Sequence, residues 1–310
     1  MELADPIFLA DVLHGLSQPQ RMIPPRWFYD RQGSELFEEI TRLPEYYLTE
    51  AERQILSTQM GEMAAVLGAG RMVVEFGSGS SSKTPLLLAA VEPSSYVPID
   101  ISGDFLRESA QSLAADFPRF PIHPVEADFS GPVSLPNDGR QRLGFFPGST
   151  IGNLDEAGAI DLLRHFGQML GEGALLLIGF DRRKSTDILI PAYDDAQGVT
   201  ARFNLNLLRR INRELGGNID LDAFAHEIRW NDERSRIEMH LRALRDQSFS
   251  VAGRSFHLRA GESLHTENSY KHHPRAAALL LRAGGWEPLR EWTDARELFS
   301  VYAARRVPGG

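Results

Sequence analysis

The hydrophobic positions of this chain follow two patterns. Between about 70 and 181, short continuous apolar runs alternate with stretches of helical periodicity. The runs predict strands over 72–76, 95–100, 122–125, 142–147 and 174–178. The periodic stretches predict helices over 84–90, 103–115 and 155–170 between them. Runs that are apolar at every position, rather than at alternate ones, suit strands covered on both faces. Strand–helix alternation of this kind predicts a parallel, doubly wound α/β sheet.

Outside that region the alternation stops. A helix is expected over 7–16, a short one over 33–41, and a third running to about 67. Thr49 is its expected N-cap, with Glu52 three residues on completing a capping box. Helices are expected over 186–193 and 199–215, then antiparallel strands over 224–230, 236–244, 249–251 and 256–258. After the segment 266–271 and a helix over 274–283, strands over 287–292 and 298–304 return to the sheet as an edge. The expected division is 62–185 plus 272–310 as the sheet domain. Residues 1–61 plus 186–271 would form a second, α+β domain that closes over the active site.

The chain is organised around residues 71–83, RMVVEFGSGSSSK. A buried strand runs into Gly77 and Gly79, and Ser80, Ser81 and Ser82 offer caps to the helix beyond. Strand, glycine turn and helix N-terminus form a nucleotide-binding arrangement, because glycines let the backbone turn sharply beside a ligand and the first helical N–H groups point at it. Asp100 follows Gly77 by 23 residues, a spacing at which an acid accepts from ribose hydroxyls. Asp128 and Phe129 follow the third strand; a helix cap or turn is an equal reading for Asp128. Ser82 stands where a dinucleotide fingerprint has its third glycine, which weakens a nicotinamide reading. Glu75 at the strand end, before Phe-Gly-Ser-Gly, instead looks like the acid–x–Gly–x–Gly loop of S-adenosylmethionine-dependent methyltransferases. Two further loops stand out. Prolines 24 and 25 stiffen the path into Trp27, Phe28 and Tyr29, although aromatic side chains filling a core edge would look the same. Small residues over 148–153 follow the fourth strand at the end of the sheet where catalysis would occur.

Composition narrows the partners. Of 310 residues 42% are hydrophobic and 24% charged, there is no cysteine, and the net charge is −9. Disulfides, thiolate metal sites and cysteine nucleophiles are excluded, which fits a reducing compartment such as the cytoplasm. No apolar run reaches membrane-spanning length, and the N-terminus lacks the h-region of a signal peptide. The acidic balance argues against a nucleic-acid partner. Basic clusters at 182–184 and at Arg209, Arg210 and Arg213 read as solvated faces. His257, His265, His272 and His273 match no standard metal spacing.

Several blocks together resemble one family, the histidine-specific Nα-methyltransferases that make hercynine in ergothioneine biosynthesis. They are PPRWFYDRQGSELFEEITRLPEYYLTEAE at 24–52, VEFGSGSSSKT at 74–84, FFPGSTIGN at 145–153, AYDDAQGVTARFN at 192–204, RIEMHLRA at 236–243 and TENSYK at 266–271. They follow the family's order over nearly the whole chain. The resemblance implies a Rossmann-like class I methyltransferase sheet with a second, α+β substrate domain, and S-adenosylmethionine as cofactor, released as S-adenosylhomocysteine. Gly77, Ser78, Gly79, Lys83, Asp100, Asp128 and Phe129 match its cofactor positions. Tyr46, Asn153 and Tyr193 match residues holding the amino-acid head of the substrate. Glu267, Asn268 and Ser269 match the segment facing the imidazole, Met239 lines that pocket, and Tyr29 lies beside the amine. Tyr29, Tyr46 and Asn153 would then carry the catalytic role. The implied substrates are L-histidine and its mono- and dimethyl forms, handled by a cytoplasmic monomer with no nucleic acid, membrane or metal.

Side-chain chemistry is compatible with those roles. A carboxylate at 267 can accept from an imidazole N–H and a hydroxyl at 269 can serve the other nitrogen; their spacing of two puts both on one face of an extended segment. From the sequence alone Glu267 reads more readily as a solvated surface acid, and Tyr46 as a packing ring. Methylation of another amine such as an indole amino acid, of nucleic acid, hydride transfer with a nicotinamide, and cofactor binding without catalysis are the competing readings. The Asn/Asp-Pro-Pro-aromatic signature of nucleic-acid methyltransferases is absent, since Leu154 and Asp155 follow Asn153.

Overall fold

The computed structural model describes residues 5–79 and 83–307; the expected caps Ser80, Ser81 and Ser82 lie outside them. In chain order the elements are α1 (Pro6–Leu16), β1 (Arg21–Met22), α2 (Arg31–Ile40), α3 (Tyr47–Leu67), β2 (Met72–Phe76), α4 (Thr84–Val91), β3 (Ser95–Asp100), α5 (Gly103–Asp116), β4 (Val125–Glu126), β5 (Arg142–Phe146), α6 (Glu156–Leu170) and β6 (Leu175–Asp181). Then come α7 (Thr186–Tyr193), α8 (Val199–Glu214), β7 (Phe224–Asn231), β8 (Arg236–Ala243), β9 (Gln247–Val251), β10 (Arg254–Leu258), β11 (Ser263–Tyr270), α9 (Pro274–Ala283), β12 (Trp286–Thr293) and β13 (Phe299–Arg306).

The chain divides into two units, residues 1–46 with 185–269 and residues 47–184 with 270–310. The sheet unit carries seven strands in the order β12-β13-β6-β5-β2-β3-β4. β2 to β6 run parallel, while β13 runs antiparallel to β6 and β12. This is the Rossmann-like class I arrangement. Every residue of β2 and of β6 is buried, as both-face coverage requires. Phe76 of β2 stacks on Phe166 of α6 with centroids 3.8 Å apart. The strand order reverses between β2 and β5, so the crevice beyond the end of β2 is where an open α/β sheet binds its ligand.

Four details of this unit depart from the sequence reading. Helix α3 belongs to it, not with the N-terminal segment: Met63 and Leu67 are buried, and Gln59 Nε2 donates to Thr293 O of β12 (2.9 Å). The helix also starts before Thr49, because the Tyr46 amide closes a turn on Leu43 O (3.1 Å) and delivers helical backbone at Tyr47. The strand expected at 122–125 shrinks to Val125–Glu126 with an isolated bridge from Ile122 to Tyr96, since Pro121 and Pro124 cannot donate to a ladder. Ser102, which its place before α5 marks as the expected N-cap, makes no side-chain cap; its amide donates instead to Asp100 Oδ1 (2.9 Å).

The other unit is α+β. Its sheet runs β1-β11-β8-β7, with β9 and β10 as a separate hairpin. Amphipathic α8 buries Phe203, Leu207, Leu208 and Ile211. Asp30 caps α2 by accepting from Gly33 N (2.7 Å) and also accepts from Asn206 Nδ2 of α8 (2.8 Å). A Cβ at Gly33 would fall 1.7 Å from Phe28 O, so only glycine fits there. Two of the aromatics after the prolines, Trp27 and Phe28, are buried.

Candidate active site

The crevice at the end of β2 is built from backbone. The amides of Gly77 and Ser78 donate to Ile99 O at 2.8 and 3.2 Å, bending the chain over the end of β3. Gly77 has φ +70°, and a Cβ there would come 3.3 Å from the Phe129 ring. Gly79 N donates to Asp100 Oδ2 (2.9 Å). The loop thus brings Gly77, Gly79, Asp100 and Phe129 together. Burial pushes the Asp100 carboxyl above its usual range, against the amides of Ser102 and Gly79 that stabilise the anion. Asp128 accepts from Ser130 N and Oγ at 2.9 and 2.6 Å, which makes it a turn residue whatever else it binds.

Beneath the loop, Glu75 accepts from Thr84 Oγ1 (2.8 Å) at the start of α4 and from Tyr96 OH (2.5 Å) on β3. Burial raises its carboxyl to about 7, and these two neutral donors only partly oppose that. Lys83 pairs with buried Glu52 of α3, which also accepts from Gly148 N (2.8 Å). One carboxylate therefore ties the residue before α4 to the start of the 148–153 loop. That loop ends in a turn of 3-10 helix, Thr150–Asn153, which carries Asn153.

The remaining expected residues, apart from Asn153, lie in the other unit, where a single network joins most of them. Tyr193 OH shares a hydrogen bond with Ser269 Oγ (2.7 Å). The Tyr46 ring meets Tyr193 edge-on at 6.1 Å. The Tyr29 ring meets Phe37 at 5.7 Å, and Phe37 meets Tyr46 at 6.2 Å. Behind Tyr193, His226 Nε2 donates to its carbonyl (2.9 Å), and Asn204 Nδ2 donates to His226 Nδ1 (2.8 Å) and His240 O (3.0 Å). Thr266 Oγ1 closes the circuit on Asn204 Oδ1 (2.8 Å) and Met239 O (3.0 Å). Asn204 was not singled out from the sequence. The signal was there, as a polar residue on the buried face of an amphipathic helix, and it has no exposure.

Segment 263–270 is a strand, so Glu267 and Ser269 share a face and half-buried Asn268 points the other way. His265 Nε2 donates to Glu267 O (3.0 Å), fixing that stretch of backbone. Ligand atoms of Glu238, His240 and His265 lie within 4.8 Å of one another, which raises the question of a metal. The two imidazoles stack at 4.5 Å and 18°, so their in-plane lone pairs run side by side and cannot converge on one ion. Hydrogen bonds account for the cluster. Arg236 and Asn231 help hold the Glu238 carboxyl down at about 2 despite burial, His240 Nε2 donates to it (3.2 Å), and Ser263 Oγ serves His240 Nδ1 (3.1 Å). Burial, with neighbouring His265 and Arg229, lowers His240 to about 4.

A family profile described as histidine-specific methyltransferase, SAM-dependent, matches residues 8–306. The chain belongs to this family. It is 42% identical to the histidine N-alpha-methyltransferase of Mycolicibacterium smegmatis over 96% of this chain and 94% of that one. It is 41% identical to the protein of the same description from Mycobacterium tuberculosis, with the same coverage. Ergothioneine biosynthesis protein 1 of Neurospora crassa is 30% identical over 89% of this chain and 32% of its own length. The protein is a methyltransferase enzyme that uses S-adenosylmethionine and methylates histidine in ergothioneine biosynthesis. The crevice fits the cofactor: the space a Cβ at Gly77 would fill lies beside the Phe129 ring, and Asp100 offers acceptors for a vicinal diol without a phosphate cradle. Among the described residues no helix is long and apolar enough to cross a membrane.

Proposed function

We propose that this enzyme methylates the α-amine of L-histidine three times in succession, through the mono- and dimethyl forms, to give hercynine as the first step of ergothioneine biosynthesis. The observation that carries this reading is the network that joins Tyr46, Tyr193 and Ser269 and sets Glu267 on the same strand face as Ser269. Glu267 would accept from one imidazole nitrogen and Ser269 serve the other. An analogue lacking either partner would leave a buried polar group unpaired, the strongest basis for discrimination. Met239 shapes the ring pocket, and Asn268 belongs to the same segment. Tyr46, Tyr193 and Asn153 hold the amino-acid head.

When bound, S-adenosylmethionine supplies an electrophilic methyl on a positively charged sulfur. Gly77, Ser78, Gly79, Lys83, Asp100, Asp128 and Phe129 hold and orient it. The amine attacks in its neutral form, and positioning supplies most of the acceleration. The Asn153 amide oxygen and carbonyls of the 148–153 loop accept the amine hydrogens. Each transfer removes one hydrogen, and Tyr29 and Tyr46 then offer π faces to the growing ammonium. The enzyme acts as a cytoplasmic monomer without nucleic acid or membrane; its acidic balance disfavours nucleic acid, and its lack of cysteine fits a reducing compartment.

The test is mass spectrometry after incubation with S-adenosylmethionine and each of the twenty amino acids in turn. Histidine gaining three methyls is the expected result. No gain on histidine, or a gain on another amino acid in its place, rejects the reading.

A further inference from the structure

The end of β6 holds a buried charge cluster that the chemistry above does not use. Asp181 has no exposed surface. Its carboxylate accepts from Tyr47 OH at 2.9 and 2.7 Å, pairs with Lys184, and pairs with Lys271 Nζ at 2.7 Å. Lys184 Nζ also donates to Tyr47 OH (2.6 Å) and lies 4.2 Å from the centre of that ring. The Asp181 amide donates to Ser149 Oγ (2.8 Å), and its carbonyl accepts from His272 N (2.8 Å).

The three side chains bound to this carboxylate mark the three places where the chain passes from one unit to the other. These passages fall between residues 46 and 47, 184 and 185, and 269 and 270. Each leads directly to proposed substrate residues: Tyr46 precedes Tyr47, α7 carries Tyr193 after Lys184, and Glu267 and Ser269 lie just before Lys271. Ser149 lies near the start of the 148–153 loop, which ends at Asn153. Asp181 touches a residue in or beside each of these four segments: Tyr47, Lys184, Lys271 and Ser149.

We propose that Asp181 is a positioning residue for the methyl acceptor, fixing where the segments bearing Tyr46, Tyr193, Glu267–Ser269 and Asn153 leave the sheet, without touching substrate itself. Its kinetic consequence rests on the substrate assignment above; its structural consequence does not. The physical case is that a carboxylate shared by two ammoniums and a phenol is an inefficient way to add stability, because desolvation consumes much of the Coulomb gain. What such a cluster supplies is direction. Each donor makes a short contact with the same two oxygens, so displacing one segment disturbs the pairing of the other donors with the carboxylate.

The variant that tests this is Tyr47→Phe, which keeps the ring against Lys184 and removes only the hydroxyl. Hydrogen–deuterium exchange of the full chain should quicken by about tenfold in two sequence-remote segments, 184–193 and 263–272, as well as around 47. Segment 72–79 should not change. With histidine, KM should rise about tenfold, while kcat and the dissociation constant of S-adenosylhomocysteine stay within about twofold. Exchange that quickens only around 45–50 overturns the proposal. So does an unchanged KM, or a loss of cofactor affinity as large as the rise in KM. If the wild-type enzyme leaves histidine unmethylated, the substrate assignment fails and the exchange result alone decides the role of Asp181.

Discussion

Glu75 and Asp181 are two carboxylates of one sheet, both shut off from solvent and both near the ends of parallel strands, yet their surroundings drive them opposite ways. Glu75 is met by two hydroxyls, from Thr84 and Tyr96, and burial carries its carboxyl up to about 7. Asp181 is met by two ammoniums and a phenol. Despite burial, Lys271 and Lys184 hold its carboxyl below the usual range. Burial therefore does not decide the charge of a buried acid; the charge of its donors does. The difference also divides the work. Glu75 joins β2, β3 and the start of α4 around the glycine loop, so it supports the cofactor crevice. Asp181 gathers the segments that lead to the proposed substrate residues.

The largest expected difference between the two is in stability. Asp181→Asn leaves two lysines buried without their anion and should cost about 3–5 kcal/mol. Glu75→Gln keeps a neutral acceptor for two neutral donors and should cost about 1 kcal/mol or less at pH 8. Urea unfolding of both variants at pH 8 measures this, and equal losses would break the comparison.

The next difference is in the sign of a pH dependence. The folded state holds the Glu75 proton more tightly than the unfolded chain, whose value is near 4.5. Between those two values the folded state binds more protons, so this group's contribution is complete below pH 4.5 and is lost as pH rises through about 7, a change of about 3 kcal/mol. The stability of wild type relative to Glu75→Gln should fall by that amount from pH 4.5 to 8. Asp181 acts in the opposite sense: its contribution is present above its unfolded value and is lost only as pH falls through a depressed one, so it gives no slope between pH 5 and 8. Burial and neighbouring Lys271 lower His272 to about 4, which reduces stability as pH falls from 6.5 toward 4. That contribution is common to both proteins and cancels in the difference. A flat difference curve would show that Glu75 is ionised throughout.

The smallest expected effect falls where no charge is involved. Met239 is buried, and its proposed part in the substrate pocket is shape. Met239→Leu should cost less than about 1.5 kcal/mol and leave turnover on histidine within a few-fold. Complete loss of turnover would mean that the thioether itself is needed.

The two carboxylates also mark how far the sequence could be read. Glu75 was legible, because a continuous apolar strand, an acid and a Gly-x-Gly turn are adjacent in the chain. Asp181 was visible only as the end of a predicted strand. Its partners Tyr47 and Lys271 are remote in sequence, and nothing local announces them. Lys184 illustrates the same limit. In the run 182–184 it reads as a solvated charge, yet its side chain is 7% exposed and ion-paired. Arg213, read the same way, is 53% exposed but pairs with Asp30, while Arg210 lies against the Phe8 and Trp27 rings. Glu52 fits a capping box by spacing, but the structure spends it on Lys83 and the Gly148 amide. Local patterns give strands, turns and helix faces; the pairing of buried charges is a long-range choice made by the fold.

The central claim is that one set of residues holds the cofactor and a separate set recognises histidine. Calorimetric titration of wild type and Glu267→Ala, each with S-adenosylhomocysteine and with histidine, tests it most directly. The account predicts cofactor affinity unchanged within about twofold and histidine affinity reduced at least about tenfold. Equal losses for both ligands, or undiminished histidine binding, would contradict it.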